Sequence, residues 1–188
     1  MTTAQIIGLA ALALLILIAI LLYNRLVRLR VGVKTAWAQI DAQLRRRHDL
    51  VPNLVAAVRG YFGHESAVLE RVAAVRERAV NAGDTPAQRA GAEQALGAAL
   101  GQLIARVEAM PELKADGTVL ALQEELATTE NRIAFSRQHY NETVGRYNGA
   151  IESIPDMLIA KPCGFRHAQF LELDTPTTVP VVDLERAA

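Results

Sequence analysis

Apolar residues run without interruption along the first part of the chain. From Ile6 to Tyr23 it reads IIGLAALALLILIAILLY, with no charged side chain and no polar one before the tyrosine. At a rise of about 1.5 Å per residue, this run approaches the roughly 20 residues that cross a bilayer's hydrocarbon. A cleaved signal peptide would carry positive charge ahead of the run, where only MTTAQ stands. We therefore predict an uncleaved transmembrane helix over residues 6–23, after a short external N-terminus of residues 1–5.

Positive charges lie on one side of this run. Residues 24–34 contain Arg25, Arg28, Arg30 and Lys34 and no acidic residue. The positive-inside rule then predicts a single-pass protein with its N-terminus outside and its larger C-terminal part in the cytoplasm. The first predicted partner is thus the lipid bilayer, through the N-terminal helix.

The chain beyond residue 24 places apolar residues at spacings of three and four. Four stripes follow this pattern, over residues 26–44, 51–72, 96–110 and 119–154. Such stripes are typical of a coiled-coil seam or an up-and-down bundle, and no segment has the alternation of a strand. We predict an all-α domain of about four long helices over residues 24–155.

Turn and capping residues separate the later stripes. The stretch NAGDTPAQ (81–88) offers Asp84 or Thr85 as an N-cap, and Asp116 is the predicted cap of the last long helix. Residues 156–188 contain TPTTVP and lack periodicity. We predict that they form an extended, partly disordered C-terminal tail.

The stretch RRRHDLVPNL (45–54) places a proline between the first two stripes. A new helix could start there, with Asp49 as its cap and Pro52 in its first turn. Alternatively, the proline could kink one continuous helix, because the apolar spacing keeps its phase across the junction. We favour the break.

Charged residues fall on the seam of the bundle. Arg47 continues the first stripe, whereas Arg45 and Arg46 point away from it and can be solvated. Because an unpaired buried charge costs several kcal/mol, we predict a polar layer in which Glu65 is paired with an arginine and fixes helix register. The alternative is that the arginines extend to the bundle edge with their stems buried. The charged seam residues are Arg47, Glu65, Arg76 and Arg137.

No catalytic or metal-ligating pattern is present in the sequence. The four histidines are scattered and form neither HExxH nor a ligand pair on one helical face. Cys163 is the only cysteine, which excludes an internal disulfide framework. The formal net charge of zero gives no indication of a nucleic-acid partner. We therefore expect no enzyme, no metal, no cofactor and no nucleic acid.

Two Tyr-Asn pairs stand seven residues apart. Tyr140-Asn141 and Tyr147-Asn148 therefore lie one above the other on a helix. We expect the tyrosines to be core residues whose hydroxyls reach a partner. The asparagines form a polar stripe that suits either internal hydrogen bonding or the docking of a partner.

Several motifs resemble the LemA family, a group of bacterial membrane-anchored helical proteins. They are RRRHDLVPNLV (45–55), PELK (111–114), TENRIA (129–134) and the two YN pairs. The resemblance covers residues 24 to about 170, with Met110 standing where many members carry an aromatic residue. The motif residues that we take as candidates for partner binding are Arg45, Arg46, Asp49, Pro52, Asn53, Glu130, Asn131, Arg132, Tyr140, Asn141, Tyr147 and Asn148.

The resemblance implies an N-terminal anchor and a helical bundle, and it supplies no reaction. Members are associated with membrane proteases, with envelope stress and, in one branch, with building an intracellular membrane organelle. We expect a non-enzymatic scaffold or adaptor at the cytoplasmic face of a bacterial inner membrane. Its partners would be membrane proteins, or further copies of itself in a homo-oligomer of unspecified stoichiometry. The alternative is a regulator or substrate-presenting cofactor of a membrane protease.

Overall fold

The computed structural model describes residues 2–62, 66–83 and 85–171, and every regular element within them is helical. Four helices are long: α1 (Thr3–Val58), α2 (Ser66–Val80), α3 (Pro86–Glu108) and α5 (Gly117–Glu152). Two are short: α4 (Pro111–Lys114) and α6 (Asp156–Ala160). α1 and α5 form a long antiparallel pair, and α2 packs against α3 beside one half of that pair. The prediction of an all-α protein with about four long helices is confirmed.

α1 is a single helix of 56 residues and contains the whole apolar run. At about 1.5 Å per residue it is about 84 Å long. It begins at Thr3, so residues 3–5 of the expected N-terminal segment are helical. In the described part of the chain, it is the one helix long and apolar enough to cross a membrane, and its most apolar window is unburied. The same helix enters the domain core at Leu26.

The helix break that we favoured at Asp49 is wrong, because α1 continues through Pro52. Proline has no N–H to bond to the carbonyl four residues earlier, which here belongs to His48. Nε of Arg76, in α2, donates a hydrogen bond to this carbonyl at 2.6 Å. A side chain from the neighbouring helix thus replaces the missing main-chain donor.

The second apolar stripe is interrupted after Val58 instead. The chain leaves α1 at Arg59, and the N–H of Tyr61 bonds to the carbonyl of Val58 at 3.0 Å. Gly60 lies in this turn, and glycine is a weak helix former. α2 then begins at Ser66. The number of long helices is still four, because α1 contains the start of the second stripe and α2 contains its end.

Side-chain caps start α3 and α5. The hydroxyl of Thr85 accepts a hydrogen bond from the N–H of Gln88 at 3.4 Å. The carboxylate of Asp116 accepts one from the N–H of Thr118 at 2.8 Å. Asp84, the alternative cap for α3, lies outside the described residues. Both helices therefore begin at caps that the sequence marks.

Two apolar cores follow each other along the α1–α5 pair. The proximal core, nearer the apolar run, is built from residues 26–44 of α1 and 133–151 of α5. The distal core is built from residues 50–58 of α1, residues 119–126 of α5, α2 and α3. The interval between the two cores carries the polar residues that form the candidate site.

Residues 161–171 pack against the helices, although we expected residues 156–188 to form one extended tail. Residues 156–160 of that segment are the helix α6, and Gly164 has a positive φ of 72° in the turn that follows it. Phe165 and Leu171 are buried in the proximal core. Residues 172–188 lie outside the described residues, so the predicted disorder stays a prediction there.

If Arg76 replaces the donor that Pro52 lacks, removal of the Arg76 side chain should destabilise the fold only when Pro52 is present. We expect Arg76→Met to lower the free energy of unfolding by about 1–3 kcal/mol, since the His48 carbonyl loses its donor. In a Pro52→Ala background the restored N–H takes that carbonyl, and the same change should cost less than about 0.5 kcal/mol. Urea denaturation of the full chain in detergent measures this coupling. Equal costs in both backgrounds would contradict the replacement.

Candidate functional site

A buried arginine joins three helices between the two cores. Arg47 of α1 is 2% exposed and forms an ion pair with the carboxylate of Glu93 in α3. Its Nη2 also donates to the carbonyl of Glu93 at 3.3 Å, and its Nη1 donates to Glu130 of α5 at 2.6 Å. The side chain of Glu93 is 1% exposed, whereas that of Glu130 is 45% exposed. The network therefore has one dry end and one end in contact with solvent.

Further polar side chains extend this network. His48 Nε2 lies 2.9 Å from the second carboxylate oxygen of Glu93. Arg137 of α5 is half-buried, and burial and the nearby charge of Arg47 lower its pKa below its ordinary value. The structure thus brings together Arg47, Arg76 and Arg137, the three arginines that the sequence places on the seam. We call the group Arg47, His48, Arg76, Glu93, Glu130 and Arg137 the polar layer.

Glu93 is held in its ionised form. Burial alone would raise the pKa of its carboxyl, but the hydrogen bond with His48 and the charge and hydrogen bond of Arg47 outweigh burial. The pKa therefore lies below the ordinary value of 4.5. Such a group is a fixed counter-charge at neutral pH. Within residues 2–62, 66–83 and 85–171, no cluster of three or more His, Cys, Asp or Glu residues is placed to hold a metal ion.

Glu93 is a site residue that the sequence pattern did not single out. It lies three residues before Leu96 and so extends the apolar stripe of α3 by one step. The three residues before it, AGA (90–92), are small, which leaves the stripe without large apolar residues on that side. Glu65, the acid that we expected in the layer, lies outside the described residues, so its pairing stays a prediction.

Other motif residues lie apart from the polar layer on the protein surface. Arg46 lies 2.7 Å from Glu125 of α5, with both side chains more than two-fifths exposed. Arg45 pairs with Asp41 one turn earlier in α1. Surface pairs of this kind contribute little stability. The remaining exposed motif residues are Asp49, Pro52, Asn53, Asn131 and Arg132.

The two asparagines of the YN pairs bind the main chain of the segment after α6. The Asn141 amide donates to the carbonyl of Leu171 at 3.0 Å and accepts from its N–H at 2.9 Å. Asn148 makes the same two bonds to Ala168, both at 2.9 Å. Each amide thus pairs as a neighbouring strand would. Seven helical residues rise about 10.5 Å and three extended residues about 10 Å, so the two spacings match.

The two tyrosines bind the same segment. The hydroxyl of Tyr140 donates to the carbonyl of Gln169 at 2.9 Å, and that of Tyr147 donates to the carbonyl of Arg166 at 2.8 Å. Burial raises the pKa of both tyrosines, so the hydroxyls keep the protons that they donate. Internal hydrogen bonding is therefore the arrangement that these pairs adopt. We call the four side chains Tyr140, Asn141, Tyr147 and Asn148 the backbone clamp.

Known sequences share these motifs. The sequence model of the LemA family matches residues 36–184, which include the polar layer and the backbone clamp. The chain belongs to the LemA family.

Curated relatives of this LemA protein include magnetosome proteins of two bacteria. Magnetosome protein MamQ of Magnetospirillum gryphiswaldense is 26% identical over 189 residues, covering 85% of this chain and 70% of the relative. Magnetosome proteins MamQ 1 and MamQ 2 of Paramagnetospirillum magneticum are each 26% identical over 187 residues, covering 84% of this chain and 69% of theirs. Together with the candidate span in α1, these relatives indicate a membrane-associated helical protein.

A groove of about 490 Å³ lies between α3 and α5 of this LemA protein, next to the solvent end of the polar layer. Glu130, which binds Arg47, forms part of its wall. A Cβ added at Gly101 would meet no atom within 4 Å, so the groove is open at this point. The apolar and small residues that line it are Gly97, Leu100, Gly101, Ile104, Leu126 and Ala127.

Removing only the acid of the buried ion pair should be costly. We expect Glu93→Ala to lower the free energy of unfolding by about 3–5 kcal/mol, because Arg47 then remains buried without its main counter-charge. Glu93→Leu combined with Arg47→Leu should recover much of this loss, since apolar residues can replace a buried ion pair. Glu125→Ala removes the partner of the adjacent but exposed Arg46 and should cost about 1 kcal/mol or less. Similar costs for the two alanine variants would contradict the importance of burial.

The lowered pKa of Glu93 predicts how stability responds to acid. Its folded pKa lies below the ordinary 4.5, so its contribution is complete above that value and is lost as the pH falls through the folded pKa. We expect the wild-type chain to be more stable than Glu93→Gln at neutral pH. This advantage should shrink as the pH falls below 4.5, as measured by urea denaturation at a series of pH values. An advantage that stays constant in acid would contradict the assignment.

The backbone clamp should protect residues 166–171 from proteolysis. Arg166 is an exposed trypsin site at the start of this segment. We expect Asn148→Ala to speed cleavage there by about tenfold or more, since two hydrogen bonds of about 1 kcal/mol each are lost. Asn131→Ala, an exposed asparagine on the same helix, is the matched control and should leave the rate unchanged. Mass spectrometry of the peptides measures both rates, and equal rates would argue against the clamp.

Proposed function

We propose that this LemA-family protein is a membrane-anchored, non-enzymatic helical scaffold or adaptor at the cytoplasmic face of a bacterial inner membrane. The observation that carries the proposal is α1, in which the candidate span and the first helix of the domain are continuous. A flexible linker would let the domain turn independently of the span, whereas a continuous helix holds the domain in a constant position relative to the span. The four cations in residues 24–34 support the cytoplasmic placement.

The polar layer supports a structural function. The side chains of Arg47 and Glu93 are bound to each other and are almost completely enclosed. Because the pKa of Glu93 is lowered, the carboxylate has no proton to transfer near neutral pH. A charged pair whose partners lie on different helices orients those helices. This arrangement is expected in a protein that acts by presenting a rigid binding surface and not by catalysing a reaction.

The groove between α3 and α5 supports helix recognition as the mechanism. Its lining is mainly apolar, and an amphipathic helix binds to grooves of this kind. We take the occupant to be a helix from the cytoplasmic part of another protein in the same membrane. The anchor keeps the domain close to that membrane and so raises the effective concentration of such partners. The relatives named as magnetosome proteins support a role at a membrane.

The orientation can be tested with thiol labelling. A cysteine placed at Thr3 should react with an impermeant thiol reagent on intact spheroplasts, and native Cys163 should react only after the membrane is opened. Cys163 is exposed on the domain surface, so an impermeant reagent reaches it only from the side of the membrane on which the domain lies. Labelling of Cys163 on intact spheroplasts would place the domain outside and refute the cytoplasmic scaffold.

Partner binding can be tested by filling the groove. Gly101→Trp puts an indole into open space and should leave the fold intact, whereas Gly91→Trp, also in open space on α3, lies outside the groove. Cross-linking with mass spectrometry in native membranes should detect a membrane-protein helix at the groove in wild type and Gly91→Trp. Those cross-links should disappear in Gly101→Trp.

The outcomes of this experiment separate the alternatives. Cross-links between copies at the groove would identify self-assembly. Contacts that persist in Gly101→Trp would refute the groove as the binding surface. A stable protease complex that persists in this variant would favour a regulator or substrate-presenting cofactor of a membrane protease.

A further inference from the structure

α6 lies beside the end of the apolar run. The carboxylate of Asp156, the first residue of α6, pairs with Arg25, which follows the run in α1. The ring of Tyr23, the last residue of the run, makes a T-shaped contact with the ring of Phe165, with centroids 5.7 Å apart. Leu22, inside the run, is half-buried. The last turn of the candidate span therefore lies at the level of α6 and of the turn after it.

The outer surface of this region is mainly apolar. We call residues 154–163, which include α6, the corner. Ile154 is 75% exposed and Leu158 is 65% exposed. Asp156, the acidic residue of the corner, is buried against Arg25 and thus does not add an unpaired negative charge to the surface. The other exposed residues of the corner are Pro155, Lys161, Pro162 and Cys163.

The length of the apolar run determines the depth of the corner. Residues 6–23 rise about 27 Å, slightly less than the hydrocarbon thickness of about 30 Å. Tyr23 therefore lies at the hydrocarbon edge, and headgroups extend about 5–8 Å beyond that edge. The corner pairs with Arg25 through Asp156 and is followed directly by the turn that brings Phe165 against Tyr23, so it falls within this headgroup layer. A short span also favours drawing flanking apolar residues toward the lipid.

We propose that the corner contacts the headgroup layer of the bilayer that α1 crosses, with Ile154 and Leu158 entering the interface. The proposal rests on the membrane anchoring in the proposed function. It adds a second membrane contact, to one side of the α1 axis. A single spanning helix leaves the domain free to rotate about that axis and to tilt, and a contact away from the axis restricts both movements. The partner is thus the phospholipid surface itself.

Phe135 provides an internal comparison for this surface. It is 73% exposed, close to the value for Ile154, and lies on α5 beside Gln43 of α1. Gln43 is about 27 Å farther along α1 than Arg25. Phe135 and Ile154 are thus similarly exposed but lie at different distances from the apolar run. A signal that appears only at the corner therefore reports contact with lipid and not apolar character alone.

The test uses the full chain with Cys163→Ser, reconstituted into phosphatidylcholine–phosphatidylglycerol vesicles. Single cysteines at Leu158, Phe135 and Ile16 carry an environment-sensitive fluorophore. We expect the label at position 158 to shift to the blue and to lose most of its emission to lipids with a nitroxide near the headgroup. The label at position 135 should show neither effect. The label at position 16 should be quenched by a nitroxide deep in the acyl chain.

The three labels distinguish failure of the corner contact from failure of the anchor. If the label at position 158 behaves like the one at 135 while the label at 16 is quenched, the corner contact is refuted and the anchor stands. If the label at 16 is not quenched, both are refuted. A label at Ile154 repeats the measurement, so that a local disturbance at Leu158 does not decide the outcome.

Discussion

The bundle depends on the guanidinium of Arg47, which binds carboxylates from two other helices in the interval between two apolar cores. Leaving this charge buried and unpaired would cost several kcal/mol. The helices must therefore pack with Glu93 and Glu130 at the same height along the bundle as Arg47. The cores themselves are made mainly of aliphatic residues at spacings of three and four, which interlock in more than one register. The ion pairs therefore select one register among arrangements that apolar packing alone would permit.

The same layer also keeps α1 continuous. Arg76 donates to the carbonyl that Pro52 leaves without a partner, so the position of α2 and the integrity of α1 are linked at one hydrogen bond. Because α1 carries both the apolar run and the residues of the layer, the arrangement of the bundle is fixed relative to the candidate span. The position of the domain relative to the candidate span thus follows from contacts made deep inside the domain.

Local patterns predicted much of the fold, and contacts between distant residues account for what they missed. The apolar run, the stripes and the caps at Thr85 and Asp116 depend on neighbouring residues, and each is visible in the sequence. The prediction of a break at Asp49 was wrong because α1 accommodates Pro52 through a hydrogen-bond donor that comes from another helix. The position of Arg47 on the seam was visible in the sequence, but that of its partner Glu93 was not, because only small residues directly precede Glu93 and no large apolar residue marks the seam there. The packing of residues 166–171 depends on a match between the seven-residue spacing of the two asparagines on α5 and the three-residue spacing of their partners in an extended segment. The periodicity of either segment alone does not reveal this match.

The backbone clamp recognises the main chain of residues 166–171, and its four side chains bind to carbonyl and N–H groups that every residue except proline possesses. Most side chains of that segment are exposed and take no part in this binding. The match depends instead on the number of residues between Ala168 and Leu171. During evolution the segment is therefore free to exchange its exposed side chains, while an inserted or deleted residue would displace one anchoring position from its asparagine. Sequence drift there should take the form of substitution at constant length.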